Sequence, residues 1–155
     1  MKKKIFPVFS VLWSIFIFSN SIKPGSVSTQ VSNSPSNILH DFLTFIGLNV
    51  SVDVSTIIVR KSAHFIEFFI LGALIALSYI FLEKQIKFYK FNILFFGLSV
   101  AVLDEFIQTF VVGRTGLVKD IVLDFTGVLT AVILTALMMK YYKKSQYKKG
   151  FKKGK

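Results

Sequence analysis

Cysteine is absent from these 155 residues, so neither a disulfide nor a thiolate metal site can form. Acids are scarce: 8 Asp and Glu stand against 19 Lys and Arg, a formal net charge of +11. Between Ile5 and Ile22 there is no charge at all. No Ser or Cys nucleophile is placed convincingly beside a histidine, although Ser62 is near His64, and there is no internal repeat. What the chain has in excess is apolar: 53% of it is hydrophobic, Phe alone occurs 18 times, and the mean hydropathy is +0.62. A soluble domain of this size does not need so much apolar surface. The apolar residues also come in blocks separated by basic punctuation, the pattern of spans and loops. The basic residues sit in short runs beside those blocks, which suits anionic lipid headgroups rather than nucleic acid.

This pattern predicts an all-α polytopic membrane protein. A bundle of about four transmembrane helices, near residues 5–22, 60–82, 91–112 and 117–139, forms one membrane domain over 1–140, followed by a basic tail, 141–155. Met1–Lys4 is a basic cap on the first span, Pro7 falls in a tolerant first turn, and Lys23 and Pro24 end the span. The same features, with Ser19 and Ser21 as small residues, also read as a signal peptide. Gly25–Asn37, rich in Ser, Asn, Gln and Pro, reads as a flexible loop. Ser36 then caps a candidate interfacial helix with Ile38, Leu39, Phe42, Leu43 and Ile46 on one face, stopped by Gly47. The second helix is expected to start near Asp53 or Ser55, above the membrane surface. Glu83–Lys90 reads as a short basic loop and Gly113–Gly116 as a tight turn. The Lys-rich tail, with Tyr141, Tyr142, Tyr147 and Phe151 interleaved, is expected to be disordered or to lie on the lipid surface.

Orientation follows from the basic residues. Lys2–Lys4, then Lys84, Lys87 and Lys90, then the eight Lys from Lys140 onward lie on one side, against Lys23, Arg60, Lys61, Arg114 and Lys119 on the other. The Lys-rich side is expected to be cytoplasmic, with both termini inside a bacterial cytoplasmic membrane.

Ionisable residues nonetheless enter the apolar blocks: His64 and Glu67 in the second span, Asp104, Glu105 and Gln108 in the third, Asp120 and Asp124 in the fourth. A charge at mid-bilayer costs roughly 2.5–3.5 kcal/mol on insertion scales, so an unpaired one seldom persists without a role. At about 1.5 Å per residue, His64, Glu67, Asp104, Gln108 and Asp124 reach a common level roughly 21–28 Å up a core of about 30 Å. Arg114 hangs just above them. The helical faces agree: Arg60, His64 and Glu67 form one stripe, and Asp104 with Gln108 a second, Glu105 to its side. Asp120, Asp124, Gly127 and Ala131 form a third, whose small residues let a neighbouring helix approach.

With Trp13 and Phe18-Ser19, these residues make an ordered set. It comprises Arg60-Lys61-x-x-His64-Phe65-x-Glu67, Asp104-Glu105-x-x-Gln108, Arg114-x-Gly116 and Asp120-x-x-x-Asp124-x-x-Gly127. In this set the chain resembles the VanZ-like family of small bacterial membrane proteins, over residues from about 13 to 131. One departure is Asp124, where the family pattern more often has Asn. The resemblance implies a cell-envelope membrane protein influencing susceptibility to glycopeptides such as teicoplanin.

Three functional classes stay open. In the first, Arg60, Lys61 and Arg114 take the phosphate or carboxylate of an outer-leaflet amphiphile, and His64, Glu67, Asp104, Glu105, Gln108, Asp120 and Asp124 complete the site. The ligand would be a membrane lipid, a lipid-linked wall precursor or a lipoglycopeptide. In the second, His64, Glu67, Asp104 and Glu105 are catalytic candidates for acid/base work. No cofactor is assigned, although a divalent cation held through oxygen ligands belongs to this alternative. In the third, the protein moves protons or a solute, against which the uncharged inner halves of the spans argue. Beside all three stands a purely structural ion network, in which Asp104, Glu105 and Gln108 pair with Arg60, Lys61 and Arg114, with Asp120 capping the fourth helix.

Overall fold

A computed structural model describes residues 5–81 and 89–153, and all of its regular elements are helices. Helix α1 spans Ile5–Ser21, α2 Gly25–Phe45, α3 Val52–Phe81, α4 Tyr89–Gln108 and α5 Val118–Lys153. The expected basic cap, Met1–Lys4, and most of the expected loop after Glu83 lie outside the described residues.

Helices α3, α4 and α5 are each long and apolar enough to cross a membrane by themselves, and α1 with α2 forms a fourth such unit bent by 103°. Helix α1 occupies the stretch expected as the first span, and α2 follows it after the bend. Here the expectation of a flexible loop over Gly25–Asn37 fails, because that stretch is the first half of a 21-residue helix. The polar side chains that suggested a loop bond back onto the helix. Thr29, Ser32 and Ser36 donate to the carbonyls four residues earlier, at 2.9, 3.0 and 2.6 Å. Pro35 sits inside the helix. Of the apolar face expected further along, Ile38, Phe42 and Ile46 are exposed while Leu39 and Leu43 are partly buried, and Ser36 lies inside α2 instead of capping a separate helix.

Helix α3 begins at Val52, close to the expected start, with Ser51 Oγ accepting from the Val54 amide at 3.4 Å. Helix α4 stops at Gln108, short of the expected Val112. The amides of Phe110 and Val111 bond three residues back instead of four, tightening the chain into turns, and Gly113 then takes φ +76°, a region open to glycine. At the other end of the chain, α5 runs unbroken from Val118 to Lys153. Through Lys153 the tail is therefore a helical continuation of α5, where disorder was one of the two expectations. Lys and Gln are good helix formers, and no proline interrupts the run.

The core is built on close approach of α3 and α5. A Cβ added at Gly127 would lie 3.0 Å from the Phe69 nitrogen, and one at Gly72 would lie 2.9 Å from Val128 Cα. Glycine at these positions brings the two backbones together, with Phe68, Leu71, Val128 and Ala131 buried between the helices. Helix α1 packs on α3 along its length. Phe6 stacks on Phe81 at 4.8 Å between ring centroids, Ser10 meets Ser78 at 3.3 Å, and Trp13 Nε1 donates to the Glu67 carbonyl at 2.9 Å.

Candidate functional site

One end of the bundle collects the polar side chains. The N-terminal half of α3, the C-terminal end of α4 and the first turns of α5 meet there, so helices carrying charges at different depths in sequence present them at one level. A cavity of about 190 Å³ is lined by Arg60, Lys61, His64, Glu105, Gln108, Arg114, Asp120 and Asp124, together with Ile57, Gly113, Thr115 and Leu123. Of the residues expected at the site, only Glu67 and Asp104 stand off the cavity wall, and both lie behind it.

Glu67 turns towards α1. Asn20 Nδ2 donates to its Oε1 at 2.8 Å, and His64 Nδ1 stands 4.0 Å from its Oε2. Asn20 was not foreseen as a site residue. A lone amide near the end of an apolar span looks like an ordinary boundary residue, and its only signal is that Lys23 and Pro24 follow within four positions.

Asp104 and Glu105 are held by an amide where a cation was expected. Gln108 Nε2 donates to Asp104 Oδ2 at 2.9 Å and to Glu105 Oε1 at 3.1 Å. The other Glu105 oxygen accepts the Leu117 amide at 2.8 Å, so an acid on α4 caps the start of α5. Asp120, expected as that cap, sits in the first turn of α5, where its charge suits the helix dipole, and forms an ion pair with Lys61. Arg114 bonds carbonyls instead of acids, from Nε to Lys23 O at 2.9 Å and from Nη2 to Asn20 O at 3.1 Å. Burial, and then the nearby charge of Arg60, hold its guanidinium below the ordinary value. The proposed structural network of Arg60, Lys61 and Arg114 with Asp104 and Glu105 is therefore not formed among the described residues. Arg60 has no ion-pair partner there, and Arg114 Nη1 is buried without a hydrogen bond.

Beneath the cations lie His64, Asp104 and Asp124, one from each of α3, α4 and α5, with one potential ligand atom apiece and all three atoms within 4.8 Å of one another. Asp104 is 0% and Asp124 1% exposed. A buried charge left without a partner costs about 3–5 kcal/mol, so this is a group of side chains under strong electrostatic constraint.

A sequence model of the VanZ/LLP1 family matches residues 6–139. The chain belongs to the VanZ/LLP1 family. The matched segment contains every residue of the site and the whole of α2 to α4, and ends within α5. Neither a curated protein nor a solved structure matches the chain. Within this VanZ/LLP1 protein, the residues that carry the family resemblance, from Arg60 to Asp124, are those gathered at the end of the bundle.

Proposed function

We propose that this VanZ/LLP1 protein binds the anionic headgroup of an amphiphile in the outer leaflet of the bacterial cytoplasmic membrane, and thereby alters susceptibility to lipoglycopeptides of the teicoplanin type. The observation that carries the reading is the pair Arg60 and Arg114 at the cavity. Two guanidinium groups near each other, one without an ion-pair partner among the described residues and the other with a buried unbonded Nη1, invite an anion between them. Guanidinium forks suit phosphate and carboxylate oxygens, and they are worth most where water is partly excluded. Lys61 contributes less, because Asp120 already engages it. The distribution of Lys residues supports placing this end of the bundle outside the cell.

A ligand entering sideways from the leaflet would keep its acyl chains in lipid while its headgroup crossed the short distance to the cavity. Ile57 and Leu123 give the lining an apolar portion against which the first carbons of the tail could rest. The test is binding of short-chain phosphatidic acid to the purified protein in neutral-lipid nanodiscs. Saturable binding that is lost in both Arg60→Gln and Arg114→Gln supports the reading, and binding indifferent to both substitutions overturns it.

A further inference from the structure

The three groups beneath the arginines are an imidazole and two carboxylates, and their bonding is incomplete. Asp104 offers Oδ2 to Gln108, but its Oδ1 has no hydrogen-bond partner among the described residues. Both oxygens of Asp124 and Nδ1 of His64 are likewise buried and unpartnered. The two aspartates are almost wholly inaccessible, yet each turns an oxygen towards the same point as the imidazole. Lys61 pairs with Asp120, Arg114 donates to the carbonyls of Lys23 and Asn20, and neither Arg60 nor Arg114 forms an ion pair with Asp104 or Asp124 among the described residues. Backbone donors cannot help, because all three residues stand within helices whose amides are bonded along the chain.

We propose that His64, Asp104 and Asp124 bind one divalent transition-metal ion of the Mn²⁺ or Zn²⁺ class. A doubly charged cation balances two carboxylates and takes one ligand atom from each of the three side chains, including an oxygen of Asp124, neither of whose oxygens has a hydrogen-bond partner among the described residues. One imidazole nitrogen with two carboxylate oxygens is a borderline donor set, which suits these ions better than Ca²⁺ or Mg²⁺. Donors sharing one such ion stand roughly 3–4.2 Å apart, and these three atoms already lie within 4.8 Å of one another, so small side-chain movements would bring them into one coordination sphere. Glu67, on the same helix as His64 and anchored by Asn20, stands near enough to orient the imidazole. His64 and Asp124 also line the cavity, which leaves the ion a coordination position open towards the arginines. There it would take an oxygen of the same phosphate or carboxylate. That last role rests on the headgroup reading, whereas the ion site itself does not.

The experiment is a Mn²⁺ titration of the full chain in phosphatidylcholine nanodiscs, stripped beforehand with chelator and followed by loss of the free-ion electron paramagnetic resonance signal. Zn²⁺ competes in a parallel series. The expected result is saturation at one ion per chain, displaced by Zn²⁺, lost in Asp104→Asn and in Asp124→Asn, and retained in Asp120→Asn and Arg60→Gln. The two Asn variants remove a buried carboxylate charge that no cation balances among the described residues, at constant volume, so they should fold at least as well as the parent, which monodisperse elution and a thermal melt will report. Absence of saturable binding of either ion to the parent protein overturns the proposal, as does binding that persists in both variants. Ion binding with no phosphatidic acid binding would leave this site standing and remove the headgroup reading, and the reverse result would do the opposite.

Discussion

Asn20 and Glu67 join the first helix to the charged end of the bundle, through a 2.8 Å hydrogen bond from the Asn20 amide to the carboxylate. The bond lies between apolar helices, next to the contact of Trp13 with the Glu67 carbonyl. It makes α1 a part of the site's support. Replacing Asn20 by Ala should cost about 1–3 kcal/mol, the penalty of leaving a partly buried acceptor unmatched. Asn20→Asp should cost more, because two carboxylates would face each other. Thermal melts of the detergent-purified variants, ranked parent above Ala above Asp, check this; equal melts would mean that the bond is idle.

A second prediction concerns the cap between α4 and α5. Glu105→Ala removes the acceptor of the Leu117 amide and one partner of Gln108, and should destabilise by about 1–3 kcal/mol. Glu105→Gln keeps an oxygen for Leu117 and should lose less. If the headgroup site depends on the acid's charge, Glu105→Gln should nevertheless lose the resistance phenotype at near-normal membrane abundance. Tagged protein in membrane fractions, measured beside drug sensitivity, separates the two effects.

The convergence of charges is legible in the sequence because an ionisable residue in an apolar run is conspicuous, and helical spacing fixes its height and face. Thus the stripes of His64 with Glu67 and of Asp120 with Asp124 follow from residue spacing alone. The partners are less legible. Gln108 bridging two acids and Glu105 reaching a backbone amide both depend on the relative rotation of helices, which periodicity does not report. Helix α2 is hidden for another reason. Its Ser, Thr and Asn residues have weak helix propensity and look like a loop, but the hydroxyls of Thr29, Ser32 and Ser36 bond back to the helix and the segment stays regular. The continuation of α5 through the Lys-rich stretch is missed because charge runs signal topology more strongly than they signal conformation.

Close packing supplies a third prediction. Gly127 faces the backbone of α3, where a Cβ would meet the Phe65 carbonyl and the Phe69 nitrogen. Backbone cannot rotate away as a side chain can, so Gly127→Ala should force α3 and α5 apart and cost about 1–3 kcal/mol. Membrane abundance and melting temperature should both fall. A fully stable Gly127→Ala protein would show that the helices can separate freely.

Topology can be read with reporter fusions. The charge asymmetry predicts Leu48 outside, and Lys87 and Lys155 inside. Fusions truncated after these residues should report periplasmic or external, cytoplasmic and cytoplasmic locations. A cytoplasmic signal after Leu48 would move the site to the inner leaflet and with it the class of amphiphile within reach.

The last prediction separates packing from recognition at Lys61 and Asp120, the ion pair that links α3 to α5 at the cavity. Because Arg114 bonds carbonyls and not Asp104, an exchange between those two residues would test nothing, whereas Lys61 and Asp120 face each other and can be exchanged. The pair is only partly buried, with side chains 41% and 24% exposed, so its worth to stability is small, about 0–1 kcal/mol. Lys61→Asp alone sets two carboxylates together and should lower both stability and drug resistance. Lys61→Asp with Asp120→Lys restores the attraction and should recover abundance. If the pair serves only to hold helices, resistance should recover with it. If Lys61 also faces the headgroup, the exchanged protein should reach normal abundance yet bind phosphatidic acid more weakly, because the cation now projects from α5 instead of standing beside Arg60. Recovery of both abundance and binding would confine recognition to Arg60 and Arg114; recovery of abundance alone would add Lys61 to the binding groups.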